Sequence, residues 1–328
     1  MTVLVTGAAG FIGSHVAGAL LDRGQQVVGL DDLNAYYDPA LKRARVEKLH
    51  ERGAAFTFHR ADAADPAAVN PIVDATPQIT GIVHLAAQAG VRYSLQNPWA
   101  YVNANIHSQL TVMEAARRLP QLKHLVYASS SSVYGGNTKL PFSVDDPVDQ
   151  PVSVYAASKR SAELMAQTYA HLYRLPMTGL RFFTVYGPWG RPDMAAYIFT
   201  KAMFDGQPIR VFNHGHMKRD FTYIDDIVDV VVAALDHPPT DPGEPERPHK
   251  LYNLGNHRSE ELTHFIAVLE AAVGRTAIKD MQDLQPGDVP GTYADIESSA
   301  RDLGFRPRTT IDEGLPKFVA WYRAYHGV

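Results

Sequence analysis

Short apolar, largely β-branched runs recur through the first half of the chain, at Val3–Val5, Val27–Leu30, Phe56–Arg60, Ile82–Leu85, Leu125–Ala128 and Thr178–Phe182. Each reads as a buried strand, and helical patterns separate them. Between the first two, Ile12, Val16 and Leu20 recur at four-residue steps, which predicts one helical face packed on a sheet. Strand and helix in strict alternation predict an α/β fold, a doubly wound parallel sheet of the Rossmann type. Beyond Gly187 the alternation weakens, and the Pro-rich stretch His237–Pro248 predicts exposed irregular backbone. The expected division is a ligand-binding domain over 1–186 and a smaller α/β C-terminal lobe over 187–328. A segment near 219–236 is expected to return to the first domain, because Asp225–Leu235 reads as a helix.

Composition narrows the function classes. The chain has 328 residues, 45% apolar and 20% charged, and a formal net charge of -4 with no basic stripe, so nucleic acid is not an expected partner. It contains no cysteine, which excludes disulfides, thiolate metal sites and cysteine nucleophiles. His214-Gly215-His216 is too short and isolated to predict a metal site. The first residues lack the pattern of a secretory leader and no run approaches about 18 apolar residues, so a cytoplasmic protein without a membrane span is expected.

Gly7, Gly10 and Gly13 follow the first strand and open the first helix. Glycine there permits a tight turn, close approach to a pyrophosphate, and helix-on-strand packing; the helix start, at Phe11 and Ile12, offers N–H groups and partial positive charge. The second strand ends in Asp31-Asp32, where a carboxylate accepts hydrogen bonds from ribose hydroxyls and repels a 2'-phosphate. NAD is therefore the expected cofactor.

Tyr155 and Lys159 stand four apart, hence on one face of a helix. A cation beside a phenol favours phenolate, a base able to take a hydroxyl proton while hydride leaves carbon. Tyr-x-x-x-Lys alone is common on solvated helices. It gains meaning from the hydroxyl row Ser129-Ser130-Ser131-Ser132 at the end of an upstream strand, where ligands of doubly wound sheets sit.

With Arg181-Phe182-Phe183-Thr184-Val185-Tyr186-Gly187-Pro188 added, the chain resembles the extended short-chain dehydrogenase/reductase family, in its sugar-nucleotide epimerase and dehydratase branch. The resemblance runs through Arg219-Asp220-Phe221-Thr222-Tyr223 and Pro286-Gly287-Asp288. It implies Tyr155 as general base and acid, Lys159 as its partner on the nicotinamide ribose, and Ser130 on the reacting oxygen. It also implies that Asp62, Ala86, Ala87 and Asn105 line the dinucleotide, with Asp32 and Asn34 in the same cofactor set beside Asp31. Arg219 and Asp288 match positions that grip a UDP moiety. A homodimer through paired helices is implied as well.

Within that branch, dehydratases carry Thr-Asp-Glu where this chain has Ser130-Ser131-Ser132, and UDP-glucuronate decarboxylases carry glutamate at the place of Ser132. An epimerase needs neither carboxylate. The stretches from Leu30 to Arg43, Ala89 to Ser94 and Tyr186 to Met194 resemble the UDP-glucuronate 4-epimerase group. Thr184 replaces the asparagine of UDP-galactose 4-epimerases; its hydroxyl and Arg191, with Arg92 as a weaker alternative, can meet a sugar carboxylate. The implied reaction interconverts UDP-glucuronate and UDP-galacturonate. A neutral UDP-hexose 4-epimerase, a UDP-glucuronate decarboxylase, and a non-catalytic NAD sensor on the same fold are the alternatives.

Overall fold

A computed structural model describes residues 1–285, 289 and 291–328. Six parallel strands, β1 (Thr2–Thr6), β2 (Gln26–Asp31), β3 (Phe56–Arg60), β4 (Ile79–His84), β5 (His124–Ser130) and β6 (Met177–Phe182), coincide with the six apolar runs, except that Leu85 falls just past β4. The sheet runs in the order β6-β5-β4-β1-β2-β3. Its order reverses between β1 and β4, the crevice where doubly wound sheets bind ligands.

A seventh parallel strand, His249–Leu254, pairs with β6 in register from His249 opposite Met177 to Leu254 opposite Phe182. The apolar pattern missed it, since its sequence is His-Lys-Leu-Tyr-Asn-Leu and its first half is not buried. The C-terminal half of the chain thus completes the main sheet at one edge. It returns a second time as the helix Ile224–Asp236, whose Asp236 pairs with Arg23 at 2.8 Å behind helix α1 (Phe11–Asp22).

Helix α1 buries Val16 and Leu20 completely and Ile12 in part, as their spacing requires. Truncating such a residue costs about 2–5 kcal/mol. The remaining C-terminal elements include the parallel strand pair Ile209–Phe212 and Lys279–Gln282 and the helices Leu262–Val273 and Ile311–His326. Residues 237–248 carry no regular structure and are mostly exposed, as their prolines predict. Among the described residues no helix is long and apolar enough to cross a membrane, and no cluster of histidines and acids can hold a metal ion.

Candidate active site

A cavity of about 380 Å³ opens at the carboxyl ends of β1, β4 and β5. At one end lies the glycine loop. Gly7 has a φ of +70° and donates to Leu30 O at 2.7 Å, turning the chain out of β1 beside the end of β2. A Cβ on Gly13 would lie 2.0 Å from Gly7 O, and one on Gly7 would lie 2.7 Å from Ala86 N. Helix α1 then starts on Gly10 with no side-chain cap, so its first N–H groups are left for an anion at the cavity wall.

Asp31 is buried at the end of β2, where it accepts from Ala9 N at 3.2 Å and Leu33 N at 2.9 Å. Burial pushes its carboxyl up from the ordinary carboxylate range, against the pull of Lys42, whose Nζ stands 3.9 Å away. Asp32 is turned toward Asn34, accepting from its backbone N and side-chain Nδ2 at 2.9 Å each, and Lys42 donates to Asn34 Oδ1 at 3.1 Å. These residues line the cavity, as do Asp62, Ala86 and Ala87. A glycine cradle that a Cβ would fill, an uncapped helix start and a ribose-side carboxylate together fit a dinucleotide.

Ser130 ends β5, and its Oγ both accepts from Ser132 N and donates to Ser132 Oγ at 3.2 Å, bending the chain into a short turn over Ser131–Tyr134. Facing it is the helix Val154–Tyr173, whose N-cap Ser153 accepts from Ala156 N at 3.1 Å. Small buried residues on that helix, Ala156, Ser158, Ala162 and Ala166, let it lie close to the sheet. The same face carries Tyr155 and Lys159 into the cavity with the serine row Ser129 to Ser132.

Lys159 donates to Ala128 O at 2.9 Å, and burial lowers its pKa to about 8, with Glu163 opposing. Burial raises Tyr155 above its ordinary value of 10, while a hydrogen bond with Ser130 and the charge of Arg191 act against that rise. The net shift in the folded chain is upward, and Lys159 holds the Ala128 carbonyl.

The sugar-side candidates divide. Thr184 and Arg191 line the cavity, but Arg191 already pairs with Asp193 through Nε at 2.9 Å and Nη2 at 2.8 Å. Burial disfavours its charge; the Asp193 carboxylate outweighs that and holds it above the ordinary arginine value. Tyr36 reaches across to donate to Asp193 at 3.3 Å. Arg92 and Arg219 are not among the residues that line this cavity: Arg92 lies over the Phe212 ring at 4.2 Å, and Arg219 donates to Lys218 O at 2.9 Å. Asn105 is also off the cavity wall. It accepts from Gln88 N at 2.8 Å and donates to Ser158 Oγ at 2.8 Å, clasping the loop after β4 to the tyrosine-bearing helix. Asp288 lies outside the described residues.

Sequence reasoning missed the buried network beneath the serines. Glu163, one helical turn past Lys159, accepts from Ser129 Oγ at 2.6 Å and from Arg181 Nε and Nη2 at 2.8 and 3.0 Å; Arg181 Nη1 also donates to Tyr134 Oη at 3.0 Å. The four-residue step from Lys159 was the one signal for Glu163.

A glycine-looped parallel sheet facing a serine, a tyrosine and a lysine defines the extended short-chain dehydrogenase/reductase class. The model of the NAD dependent epimerase/dehydratase family matches residues 3–255, and the chain belongs to that family. It is 48% identical to Protein CapI of Staphylococcus aureus, with 99% of each chain covered. It is 46% identical to a probable UDP-glucuronate 4-epimerase of Rhizobium meliloti, covering 98% of this chain and 97% of that one. Among solved structures it is similar to the UDP-glucuronic acid 4-epimerase from Bacillus cereus in complex with UDP-glucuronic acid and NAD, with a TM-score of 0.89 and 33% identity over 99% of this chain and 100% of that one.

Proposed function

We propose that this chain acts as a UDP-glucuronate 4-epimerase, interconverting UDP-glucuronate and UDP-galacturonate with NAD held in the glycine-loop end of the cleft. The observation that carries the reading is one cavity joining that loop to Ser130, Tyr155 and Lys159 and, beyond them, to Thr184 and Arg191. Gly7, Gly10 and the start of α1 would hold the diphosphate, Asp31 the adenosine ribose, and Lys159 the second ribose. Bound there, NAD would supply reversible hydride acceptance at sugar carbon 4, with Ser130, Tyr155 and Lys159 on the facing wall.

As phenolate, the form that neighbouring positive charge favours, Tyr155 would accept the carbon-4 hydroxyl proton at its phenolic oxygen and, as phenol, give it back after the sugar has turned over. Ser130, on the same cavity wall as Tyr155, would hold the same substrate oxygen. The oxidised sugar is a β-keto acid, which loses carbon dioxide when the breaking bond aligns with the carbonyl. The hydroxyls of Ser131, Ser132 and Thr184 with Arg191 are the donors available to restrain the carboxylate. No glutamate stands at Ser132 to expel it.

One observation favours a second reading, a neutral UDP-hexose 4-epimerase: Asp193 already meets the charge of Arg191. The test is turnover of UDP-glucuronate, UDP-glucose and UDP-N-acetylglucosamine, with products separated by chromatography. UDP-glucuronate is expected to be the preferred substrate; preference for UDP-glucose selects the second reading. Arg191→Ala is expected to lower kcat/KM for UDP-glucuronate about tenfold more than for UDP-glucose, since a guanidinium has a carboxylate to meet in the first alone.

The proposal extends to a cytoplasmic homodimer. Trp99, Leu110, Leu164 and Leu172 are exposed large apolar residues on neighbouring helices, a surface suited to a second copy. Sedimentation at micromolar concentration tests this, with a dimer mass expected.

A further inference from the structure

Two arginines are among the largest fully buried side chains, Arg45 and Arg181. Their electrostatic situations are opposite. Arg181 is met by both oxygens of Glu163. Arg45, on the helix Pro39–His50, has no acid within ion-pair reach among the described residues. Its Nη1 donates to Ala9 O at 3.0 Å and Tyr37 Oη at 2.8 Å; its Nη2 donates to Trp189 O at 2.5 Å and Gly190 O at 3.4 Å. Its Nε is buried without a partner. Asp225 and Asp229 border a separate cleft that Arg45 also lines, but neither forms an ion pair with it. Carbonyls and a phenol orient a guanidinium without neutralising it, and a buried uncompensated charge costs several kcal/mol.

The position of this charge gives it a use. Ala9 belongs to the glycine loop; its N–H is held by Asp31 Oδ2 at 3.2 Å and its C=O by Arg45. The guanidinium thus holds the glycine loop from outside the cavity, whose wall carries Gly7 and Gly10 to Gly13 but neither Ala9 nor Arg45. Its other nitrogen grips the turn one residue before Arg191, where Trp189 holds a φ of +62°.

We propose that Arg45 is a positioning residue whose buried charge is compensated by the diphosphate of the bound dinucleotide, and which ties the glycine loop to the turn that presents Arg191. This rests on the reading of the cleft as a NAD site. Dinucleotide binding then relieves a cost built into the nucleotide-free fold, and the same guanidinium passes the glycine loop's position on to the sugar end. Arg45 is one residue with two distinct jobs, charge and tether, and substitutions separate them.

Arg45→Met removes both; Arg45→Lys keeps the charge and loses the fork. The measurements are NAD retained per protomer after purification, Kd for NAD, and unfolding midpoints of nucleotide-free and NAD-saturated protein. Arg45→Met is expected to raise the Kd about tenfold or more while the nucleotide-free midpoint stays at or above that of wild type, so the stabilisation by NAD shrinks. Arg45→Lys is expected to keep the Kd within about threefold of wild type and to raise KM for UDP-glucuronate through the loosened 189–191 turn. An unchanged Kd with equal loss of midpoint in both forms of Arg45→Met would make Arg45 a packing residue and overturn the inference. If Arg45→Met does not fold, Arg45→Lys decides, because a Kd raised about tenfold despite the retained charge also overturns it. Wild-type protein that takes up no NAD would sink the cofactor reading itself, an outcome distinct from normal uptake by wild type and Arg45→Met alike.

Discussion

At the cofactor end of the cleft, backbone meets backbone. Gly13 has no room for a Cβ against Gly7 O and Gly7 N closes on Leu30 O, so the tight turn itself needs glycine, while Asp31 and Arg45 hold Ala9 between them. At the sugar end, the wall is made of paired side chains, some local and some far apart in sequence. Arg191 is gripped by Asp193 and Asp193 by Tyr36, while Ser129 donates to Glu163, which Arg181 holds in turn. The difference teaches where each end is vulnerable. Backbone geometry fixes a ligand class and tolerates almost no substitution, whereas paired side chains set charge and direction and can be retuned one partner at a time.

The largest effect is expected between the two ends, at the proton-transfer group. Tyr155→Phe should lower kcat by about 10²–10⁴-fold with NAD content unchanged, measured by UDP-sugar turnover and cofactor release. Near-normal turnover would remove Tyr155 from the chemistry. At the sugar end, Glu163→Ala leaves Arg181 buried without its counter-charge and should cost about 3–5 kcal/mol in urea unfolding. A loss below about 1 kcal/mol would show that the pair does not hold the serine strand. At the cofactor end, Gly13→Ala should cost about 1–3 kcal/mol and strip NAD from the purified protein, because a methyl must displace the Gly7 carbonyl. Full NAD occupancy in that variant would contradict the backbone account.

The smallest effect is in pH. Lys159 has a pKa near 8 in the fold and an ordinary value of 10.5. Between those values the unfolded chain binds the proton and the folded chain does not, so this group adds stability as pH rises through that window. Below pH 8 both states are protonated and the burial cost is present in full. Wild type should therefore gain on Lys159→Met between pH 7.5 and 9.5 in chemical denaturation; a constant difference would place the folded pKa at its ordinary value.

How much could be read beforehand follows the same contrast. Spacing within one segment was legible: the glycine loop, six strands, and Tyr155 with Lys159 on one helical face all lie where periodicity puts them. The strand His249–Leu254 was hidden because an edge position lets polar residues face outward, so its alternation carries little apolar signal. Arg45 was hidden for another reason, since it acts through Ala9 and Trp189, far away in sequence; the contact of Asp193 with Tyr36 was hidden likewise, although its pairing with Arg191 is local. Asn105, matched to the cofactor set by resemblance, bonds Gln88 and Ser158, contacts that local spacing does not announce.

The central claim is that carbon 4 loses and regains the same hydride while the sugar keeps its carboxylate. Incubation of the purified protein with UDP-glucuronate in deuterium oxide, followed by mass spectrometry and proton NMR of the product, tests it directly. The account predicts UDP-galacturonate of unchanged mass, with no deuterium at carbon 4 or carbon 5. Deuterium bound to a ring carbon, or a product dominated by loss of carbon dioxide, would contradict it.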